Sequence, residues 1–237
     1  MEAIILAGGL GTRLAGRLAG VPKPMAPING RPFLEILLQQ LASGGFTRVL
    51  LSVGYLHSVI EEHFGTSFGG IHIEYMIEDK PLGTGGAIRA SLVRAAEDSV
   101  EDSILVLNGD TFLDADYAQM MRFHAEAGAT MTMAVTHQAN VARYGAVVIR
   151  DSRIVGFEEK GNPGPGRSSG WINAGAYVLD WNLQWPRALG EKFSFETEFL
   201  APEIARLAPL AFEVNGFFLD IGVLEDLDRA QTALANR

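Results

Sequence analysis

Residues 4–14 read Ile-Ile-Leu-Ala-Gly-Gly-Leu-Gly-Thr-Arg-Leu, and Pro22-Lys23-Pro24-Met25 follows a short way on. Glycines at 8, 9 and 11, directly after an apolar stretch, make a loop with no Cβ atoms to keep a ligand off its backbone N–H groups. Arg13 and Lys23 add fixed positive charge beside it. This combination suits the holding of a polyphosphate. The common phosphate loops do not describe it. Gly11 and Gly16 have the outer spacing of G-x-x-x-x-G-K-[ST], but Arg17-Leu18 stands where the lysine and the magnesium-binding hydroxyl belong. Gly9-x-Gly11 opens like the dinucleotide fingerprint, yet Leu14 occupies the place of its third glycine or alanine. Taken alone, the glycines are also explained by an ordinary turn after a first strand.

Two carboxylates stand at comparable places. Asn108-Gly109-Asp110 follows the apolar run 104–107, and Asp220-Ile221-Gly222 follows 217–219. In open α/β sheets, ligands bind outside the carboxyl ends of strands. Two carboxylates without a soft ligand suit a hard cation that keeps several waters, and Mg²⁺ matches best. Each aspartate is equally readable as a cap on the helix or turn that follows it. The histidines at 57, 63, 72, 124 and 137 show no metal-ligand spacing and read as surface or packing residues.

The elements that must position these groups alternate along the chain. Residues 3–6 read as a strand. Residues 32–43 read as a helix, with Phe33, Ile36, Leu37 and Leu41 on one face and Gly44-Gly45 ending it. A buried strand at 48–53, a helix at 57–64 and an alternating strand at 71–77 follow. A helix at 84–97 opens on a glycine-rich turn; then come a strand at 104–107, a helix at 115–127 and a strand at 130–135. Such βαβ repetition predicts an α/β fold, doubly wound, with a mostly parallel Rossmann-like sheet and right-handed crossovers. The second half changes character. Runs 146–149 and 154–158 flank Arg150-Asp151-Ser152-Arg153 and read as a hairpin. A mobile Gly/Pro/Ser loop at 161–170, a strand at 171–179, a mostly helical stretch at 195–207, a strand at 217–219 and a closing helix at 224–235 complete the pattern. This half is expected to be a small antiparallel layer over the substrate side. No repeat or long linker is visible.

Composition sets outer limits. With 237 residues, 48% hydrophobic and 20% charged, the chain can bury a substantial core, and one domain is expected. The net charge of −9 argues against a nucleic-acid surface. The sequence holds no cysteine, which removes disulfides, thiol nucleophiles and cysteine zinc sites, and suits a cytoplasmic setting. Glu2 and an immediate core strand follow Met1 where a secretory signal would carry its apolar region. No apolar run reaches the length of a membrane span.

Gly8-Gly9-Leu10-Gly11-Thr12-Arg13-Leu14, a spacer, then Pro22-Lys23-Pro24-Met25 resembles the opening of the sugar-phosphate nucleotidylyltransferases. Enzymes of that family condense a nucleoside triphosphate with a sugar 1-phosphate and release pyrophosphate. Further matches extend the likeness over nearly the whole chain: Glu78-Asp79-Lys80-Pro81-Leu82-Gly83-Thr84-Gly85-Gly86, the G-D of Gly109-Asp110 and the late D-I-G at 220–222. Leu224 departs from the proline that the family often places after D-I-G-x, which touches the start of the last helix more than the chemistry. The resemblance implies a nucleotide-diphospho-sugar transferase (GT-A-like) fold, with residues 1–137 as the nucleotide half and 138–237 as the sugar-phosphate half. It also implies that no C-terminal β-helix is present.

The resemblance assigns roles. Arg13, Lys23 and Asp110 would be catalytic, and Asp110 and Asp220 would hold Mg²⁺. Leu6, Ala7, Gly8, Gly9, Gly11, Thr12, Arg13, Lys23, Glu78, Pro81, Gly83 and Thr84 would line the nucleotide site. Arg13 would neutralise the leaving pyrophosphate, and Lys23 would hold the α-phosphate or the incoming sugar phosphate. A sugar phosphate is already an anionic nucleophile, so no general base is required, and phosphoryl transfer asks mainly for positioning and charge neutralisation. Guanine offers two adjacent donors that one carboxylate can accept, so Glu78 favours GTP over UTP or dTTP. Tyr144-Gly145, Glu159-Lys160 and Asn173-Ala174-Gly175 resemble the family's sugar-side elements. There Lys160 would meet the sugar phosphate, Glu159 and Asn173 the ring hydroxyls, and Gly145 and Gly175 would admit the sugar to the backbone. Taken singly, Glu78 also reads as a solvated strand end, Lys160 as a surface salt-bridged lysine, and Tyr144 and Trp171 as packing residues.

Within the family, the short enzymes that use GTP and a D-glycero-D-manno-heptose 1-phosphate are the most similar. The alternatives are a mannose 1-phosphate guanylyltransferase, a uridylyltransferase for an amino-sugar 1-phosphate, and a non-catalytic nucleotide-sugar-binding regulator. The partners expected are GTP and a sugar 1-phosphate, with no nucleic acid and no membrane; a homodimer is compatible with the resemblance.

Overall fold

The computed structural model describes residues 1–9, 18, 20–141, 144, 146–158 and 169–235. Its elements follow in order. The first strand is β1 (Glu2–Leu6). A 3-10 turn over Lys23–Met25 and a hairpin of β2 (Pro27–Ile28) and β3 (Arg31–Pro32) lead into α1 (Phe33–Ser43). Then come β4 (Arg48–Val53), α2 (His57–Phe64), β5 (Ser67–Phe68), β6 (Ile71–Ile77), α3 (Gly83–Ala96), β7 (Ser103–Asn108), β8 (Thr111–Leu113) and α4 (Tyr117–Glu126). The second half holds β9 (Met131–Gln138), β10 (Ala146–Arg150), β11 (Arg153–Glu158), β12 (Gly170–Asp180), a π turn over Phe195–Leu200, α5 (Ala201–Leu207), β13 (Leu210–Val214), β14 (Phe218–Asp220) and α6 (Leu224–Ala233).

The sequence explains the centre of the sheet. Ile4, Leu50 and Val106 share one register across β4, β1 and β7, which run parallel. Alternate residues of β1 feed opposite cores: Ala3 and Ile5 pack with α1, α2, α4 and α6, while Ile4 packs with α3 and the π turn. A strand covered on both faces must be apolar along its middle, and β1 (Ala3–Leu6), β4 (Val49–Leu51) and β7 (Ile104–Leu107) are. Helices therefore lie on both faces, as the βαβ pattern predicts.

The expected covering layer takes another form. Among the described residues, one ten-stranded mixed sheet runs in the order β10-β11-β13-β9-β12-β7-β1-β4-β6-β5. The second-half strands extend the parallel set instead of lying over it. The reason is the composition of β12: from Ala174 to Leu179 every residue is buried. Only a place inside the sheet buries both faces, and β12 takes it between β7 and β9, antiparallel to both. β13 and β8 were not expected. The helix expected at 115–127 begins at Tyr117, because Asp116 caps it by accepting from Gln119 N–H at 2.8 Å. Pro202, in the first turn of α5, has no N–H to donate backwards, and the turn before it widens to π geometry.

The two ends of the central strands differ in chemistry. At the amino ends, Arg48 donates to Glu2 at 3.0 Å and to Glu74 at 2.6 Å, and Arg94 donates to Glu74 at 2.9 Å. The hydrogen bond from Arg48 holds the Glu74 carboxyl below its usual range. The carboxyl ends carry the loops that form the cavities described below.

His124 gives the fold a pH dependence. It is 3% exposed, with Nδ1 2.9 Å from Thr132 Oγ1. Burial lowers its pKa, opposed in part by Asp180. The unfolded chain, with a histidine near pH 6.5, therefore binds the proton more readily. Stability from this group is complete above about pH 6.5 and declines as pH falls below it, by at most about 1.4 kcal/mol per pH unit. Urea midpoints at pH 7.5 and 5.5 are expected to fall further for wild type than for His124→Asn. Equal falls would show that His124 contributes nothing to the acid sensitivity.

Candidate active site

Asp110 is placed by a glycine. Gly109 N–H donates to Leu6 C=O at 3.0 Å, and a Cβ at position 109 would lie 2.5 Å from that oxygen. Only glycine permits the contact, which pins the end of β7 to the end of β1, where the loop of Ala7, Gly8 and Gly9 begins. Beyond Asp110, β8 pairs antiparallel with β14, so Thr111 faces Asp220. Ile221 N–H donates to Asp110 C=O at 2.9 Å, and Gly222 N–H donates to Asp220 Oδ1 at 2.7 Å. A three-residue ribbon thus joins two aspartates that lie far apart in the chain.

Lys23, in the 3-10 turn after Pro22, reaches Asp110 Oδ2 at 2.5 Å. Its side chain is 13% exposed and that of Asp110 38%. Lys23, Asp110 and Asp220 line one cavity of about 270 Å³ with Thr84, Asn108, Thr111, Tyr177, Ser194, Phe195 and Glu196. Among the described lining residues, one positive charge faces three negative ones. The carboxylate oxygens of Asp110 and Asp220 fit a hard divalent cation such as Mg²⁺.

A second cavity of about 510 Å³ opens between the ends of β4 and β6, lined by Gly8, Gly54, Tyr55, Leu56, His57, Ile77, Glu78, Asp79 and Pro81. Glu78 Oε1 accepts from Ser52 Oγ–H at 3.1 Å, and Oε2 accepts from Leu82 N–H at 2.9 Å. A Cβ on Gly8 would stand 2.6 Å from Glu78 Oε1, so this glycine makes room for the carboxylate. Ala7 N–H donates to Ser52 C=O at 2.7 Å, and Gly9 is exposed with open space around it.

The segment after Glu78 has a structural duty that its sequence does not display. Gly83 has φ +69°, and a Cβ there would be 2.6 Å from Phe193 C=O. A Cβ on Gly85 would be 2.2 Å from the Phe193 ring, and one on Gly86 2.2 Å from Glu191 C=O. Phe193 N–H donates to Leu82 C=O at 3.0 Å, Gly85 N–H to Phe193 C=O at 2.9 Å, and Phe195 N–H to Thr84 Oγ1 at 2.9 Å. The glycines serve a close approach between two stretches of the protein's own backbone. Thr84 lines the Lys23 cavity, whereas Glu78 and Pro81 line the other.

On the sugar side, Tyr144 packs edge-on against Phe218 with ring centroids 5.4 Å apart. Gly175 has φ +73°, and a Cβ there would lie 2.7 Å from Asn108 Nδ2, so the glycine makes room for that side chain. Asn173 Nδ2 donates to Tyr177 Oη and to Glu196 Oε1, each at 2.7 Å, and its Oδ1 accepts from Gly175 N–H at 3.0 Å. It stands behind the cavity wall. Burial, with Glu196 and Asp110 nearby, holds the Tyr177 phenol far above its ordinary value, so it is a neutral hydroxyl. Gly11, Thr12, Arg13, Gly145, Glu159, Lys160 and most of the loop expected at 161–170 lie outside the described residues.

Glu196, Ser194, Tyr177, Asn108 and Thr111 line the Lys23 cavity without having been singled out in the sequence. Ser194 caps the π turn by accepting from Thr197 N–H at 3.3 Å, and Glu198 accepts from Ser194 N–H at 2.7 Å. A serine followed by glutamates signals a helix start, and that signal hides the different role of Glu196.

Comparison with known proteins finds relatives over nearly the whole chain. The chain is 42% identical to the D-glycero-alpha-D-manno-heptose 1-phosphate guanylyltransferase of Aneurinibacillus thermoaerophilus over 99% of this chain and 98% of that one. It is 34% identical to the mannose-1-phosphate guanylyltransferase of Mycobacterium tuberculosis, of which it spans 64%. The crystal structure of HddC from Yersinia pseudotuberculosis superposes with a TM-score of 0.83 at 32% identity, covering 98% of this chain and 99% of that one; HddC has also been solved complexed with GMP-PN. Because the family match runs over residues 2–237 and is not confined to the glycine loop, the chain belongs to the Nucleotidyl transferase family.

Proposed function

We propose that this protein transfers the guanylyl group of GTP to D-glycero-α-D-manno-heptose 1-phosphate, giving the GDP-sugar and pyrophosphate. The geometric observation that carries the reaction class is the meeting of Lys23, Asp110 and Asp220 in one cavity beyond the carboxyl end of β7. The sugar is taken from the near-full-length similarity to heptose 1-phosphate guanylyltransferases. A phosphate oxygen of the sugar 1-phosphate attacks the α-phosphorus. The bond from that phosphorus to the bridging oxygen of the β-phosphate breaks, and pyrophosphate leaves with the electron pair. The nucleophile is already an anion, so no residue need take a proton. Lys23 would hold the reacting phosphates by charge, with Arg13 at the leaving pyrophosphate. Asp110 and Asp220 would hold Mg²⁺, which when bound neutralises phosphate charge. Residues 1–137 would serve the nucleotide and 138–237 the sugar phosphate. A cytoplasmic location belongs to this reading; among the described residues, no helix is long and apolar enough to cross a membrane.

Glu78 is proposed to read guanine N1–H and N2–H₂. An ionised carboxylate has about four acceptor sites. Ser52 and Leu82 use one on each oxygen, which leaves one on each for the base. Uracil would set a carbonyl lone pair against the same oxygens and leave groups unpaired at about 1–3 kcal/mol, roughly 5- to 150-fold in discrimination. The test measures pyrophosphate release with GTP, UTP and dTTP against heptose and mannose 1-phosphates, in wild type and Glu78→Gln. GTP with the heptose is expected to give the highest kcat/KM, and the variant to narrow the gap between GTP and UTP. Wild type preferring UTP would refute the guanine reading. A mannose preference would refute the heptose. GTP preference with an unchanged ratio would leave Glu78 as the brace of the turn at Leu82.

A further inference from the structure

The wall of the Lys23 cavity formed by Ser194, Phe195 and Glu196 is built for something other than phosphate. Glu196 is a third carboxylate there, and it repels anions. It is also held firmly. Asn173 Nδ2 donates to Oε1 at 2.7 Å, and the rest of that amide is committed to Tyr177 Oη and Gly175 N–H. Phe195 N–H, one residue away, is tied to Thr84 Oγ1 at 2.9 Å. The backbone here makes a π turn, a widened form that recurs at functional sites. Among the described residues, Oε2 of Glu196 accepts no hydrogen bond. A fixed carboxylate with spare lone pairs, beside a phosphate-handling centre, suits neutral hydroxyl donors attached to that phosphate.

We propose that Glu196 is a substrate-binding residue that accepts hydrogen bonds from hydroxyl groups of the sugar 1-phosphate, with Asn173 and Thr84 as the positioning residues that aim it. This rests on the reading of the chain as a sugar 1-phosphate guanylyltransferase. It moves the hydroxyl contact from Asn173 to Glu196. It also joins the two halves of the site: the Leu82–Gly86 stretch beside the nucleotide cavity braces the strand of backbone that presents Glu196 to the sugar. The predicted ligand feature is two neighbouring hydroxyls on one face of the ring, the arrangement a single carboxylate can accept from.

The test is kinetic. In Glu196→Gln, which keeps the acceptor for Asn173, the KM for the sugar 1-phosphate is expected to rise about 10- to 100-fold, the range for hydrogen bonds to a charged group. The KM for GTP and the Mg²⁺ concentration giving half activity are expected to stay within about twofold. Thr84→Val is expected to raise the sugar KM less, in the same direction. The ligand side gives an independent check that needs no variant to fold: deoxy analogues of the sugar 1-phosphate against wild type should show one or two hydroxyls whose loss costs a similar factor, and that cost should vanish in Glu196→Gln. An unchanged sugar KM in Glu196→Gln, or a deoxy penalty that persists in it, overturns the proposal. A shifted Mg²⁺ requirement with an unchanged sugar KM overturns it in favour of a metal ligand. Wild type that releases no pyrophosphate from GTP with any sugar 1-phosphate overturns the reading beneath it; wild type that turns over normally while Glu196→Gln matches it overturns the proposal alone.

Discussion

Asp110→Asn is expected to lower turnover by at least about 10²-fold, the scale for losing an electrostatic contact made in the transition state. The side chain is nearly isosteric, and the backbone bonds that place it, Gly109 N–H to Leu6 C=O and Ile221 N–H to Asp110 C=O, do not involve the carboxylate. The fold should therefore survive, with a melting temperature close to wild type. What changes is charge. One of the two carboxylates that would hold the cation is neutralised, and Lys23 keeps an acceptor there but loses its ionic partner. Attraction for a divalent cation at that point weakens. Pyrophosphate release should be abolished by chelator in wild type, and in the variant it should stay low as Mg²⁺ is raised. Full activity of Asp110→Asn in excess Mg²⁺ would remove Asp110 from the metal site.

Lys23→Ala is expected to reduce kcat/KM by at least about 10²-fold while the protein remains folded. The ammonium group sits within the cavity wall at 13% exposure, so a phosphate there meets it partly desolvated and the charge counts for more than at an open surface. Its partner is Asp110, and that carboxylate, 38% exposed, keeps water when the lysine is gone. An ion pair of this exposure contributes little to stability, so a large kinetic loss with a small shift in melting temperature distinguishes a phosphate-binding lysine from a structural one. Lys23→Arg should recover part of the loss, because the charge returns on a longer, planar group that cannot occupy the same point. A Lys23→Ala enzyme with normal turnover would place the reacting phosphates elsewhere.

The sequence by itself determined the strands at the centre and the identity of the chemistry. β1, β4 and β7 were legible because a strand buried on both faces is apolar along its middle, and glycine or aspartate follows its end. Lys23, Asp110 and Asp220 were legible as residue types at strand or loop ends, and their family motifs named the reaction. Three things required the tertiary structure. One is the place of β12: an apolar run shows that it is buried on both faces but not which neighbours bury it, and the pairing with β7 and β9 made one sheet of what read as two layers. The second is the purpose of glycines. Gly83, Gly85 and Gly86 look like a ligand loop, but the atoms that would strike their Cβ positions belong to Glu191 and Phe193, more than a hundred residues away. The third is which polar group faces the cavity. Asn173 and Glu196 are both plausible in a sequence; a hydrogen bond of 2.7 Å between them turns the amide inward and leaves the carboxylate lining the cavity. Composition and local spacing record what a residue can do, whereas the close approach of distant backbone decides which of its atoms remain available to do it.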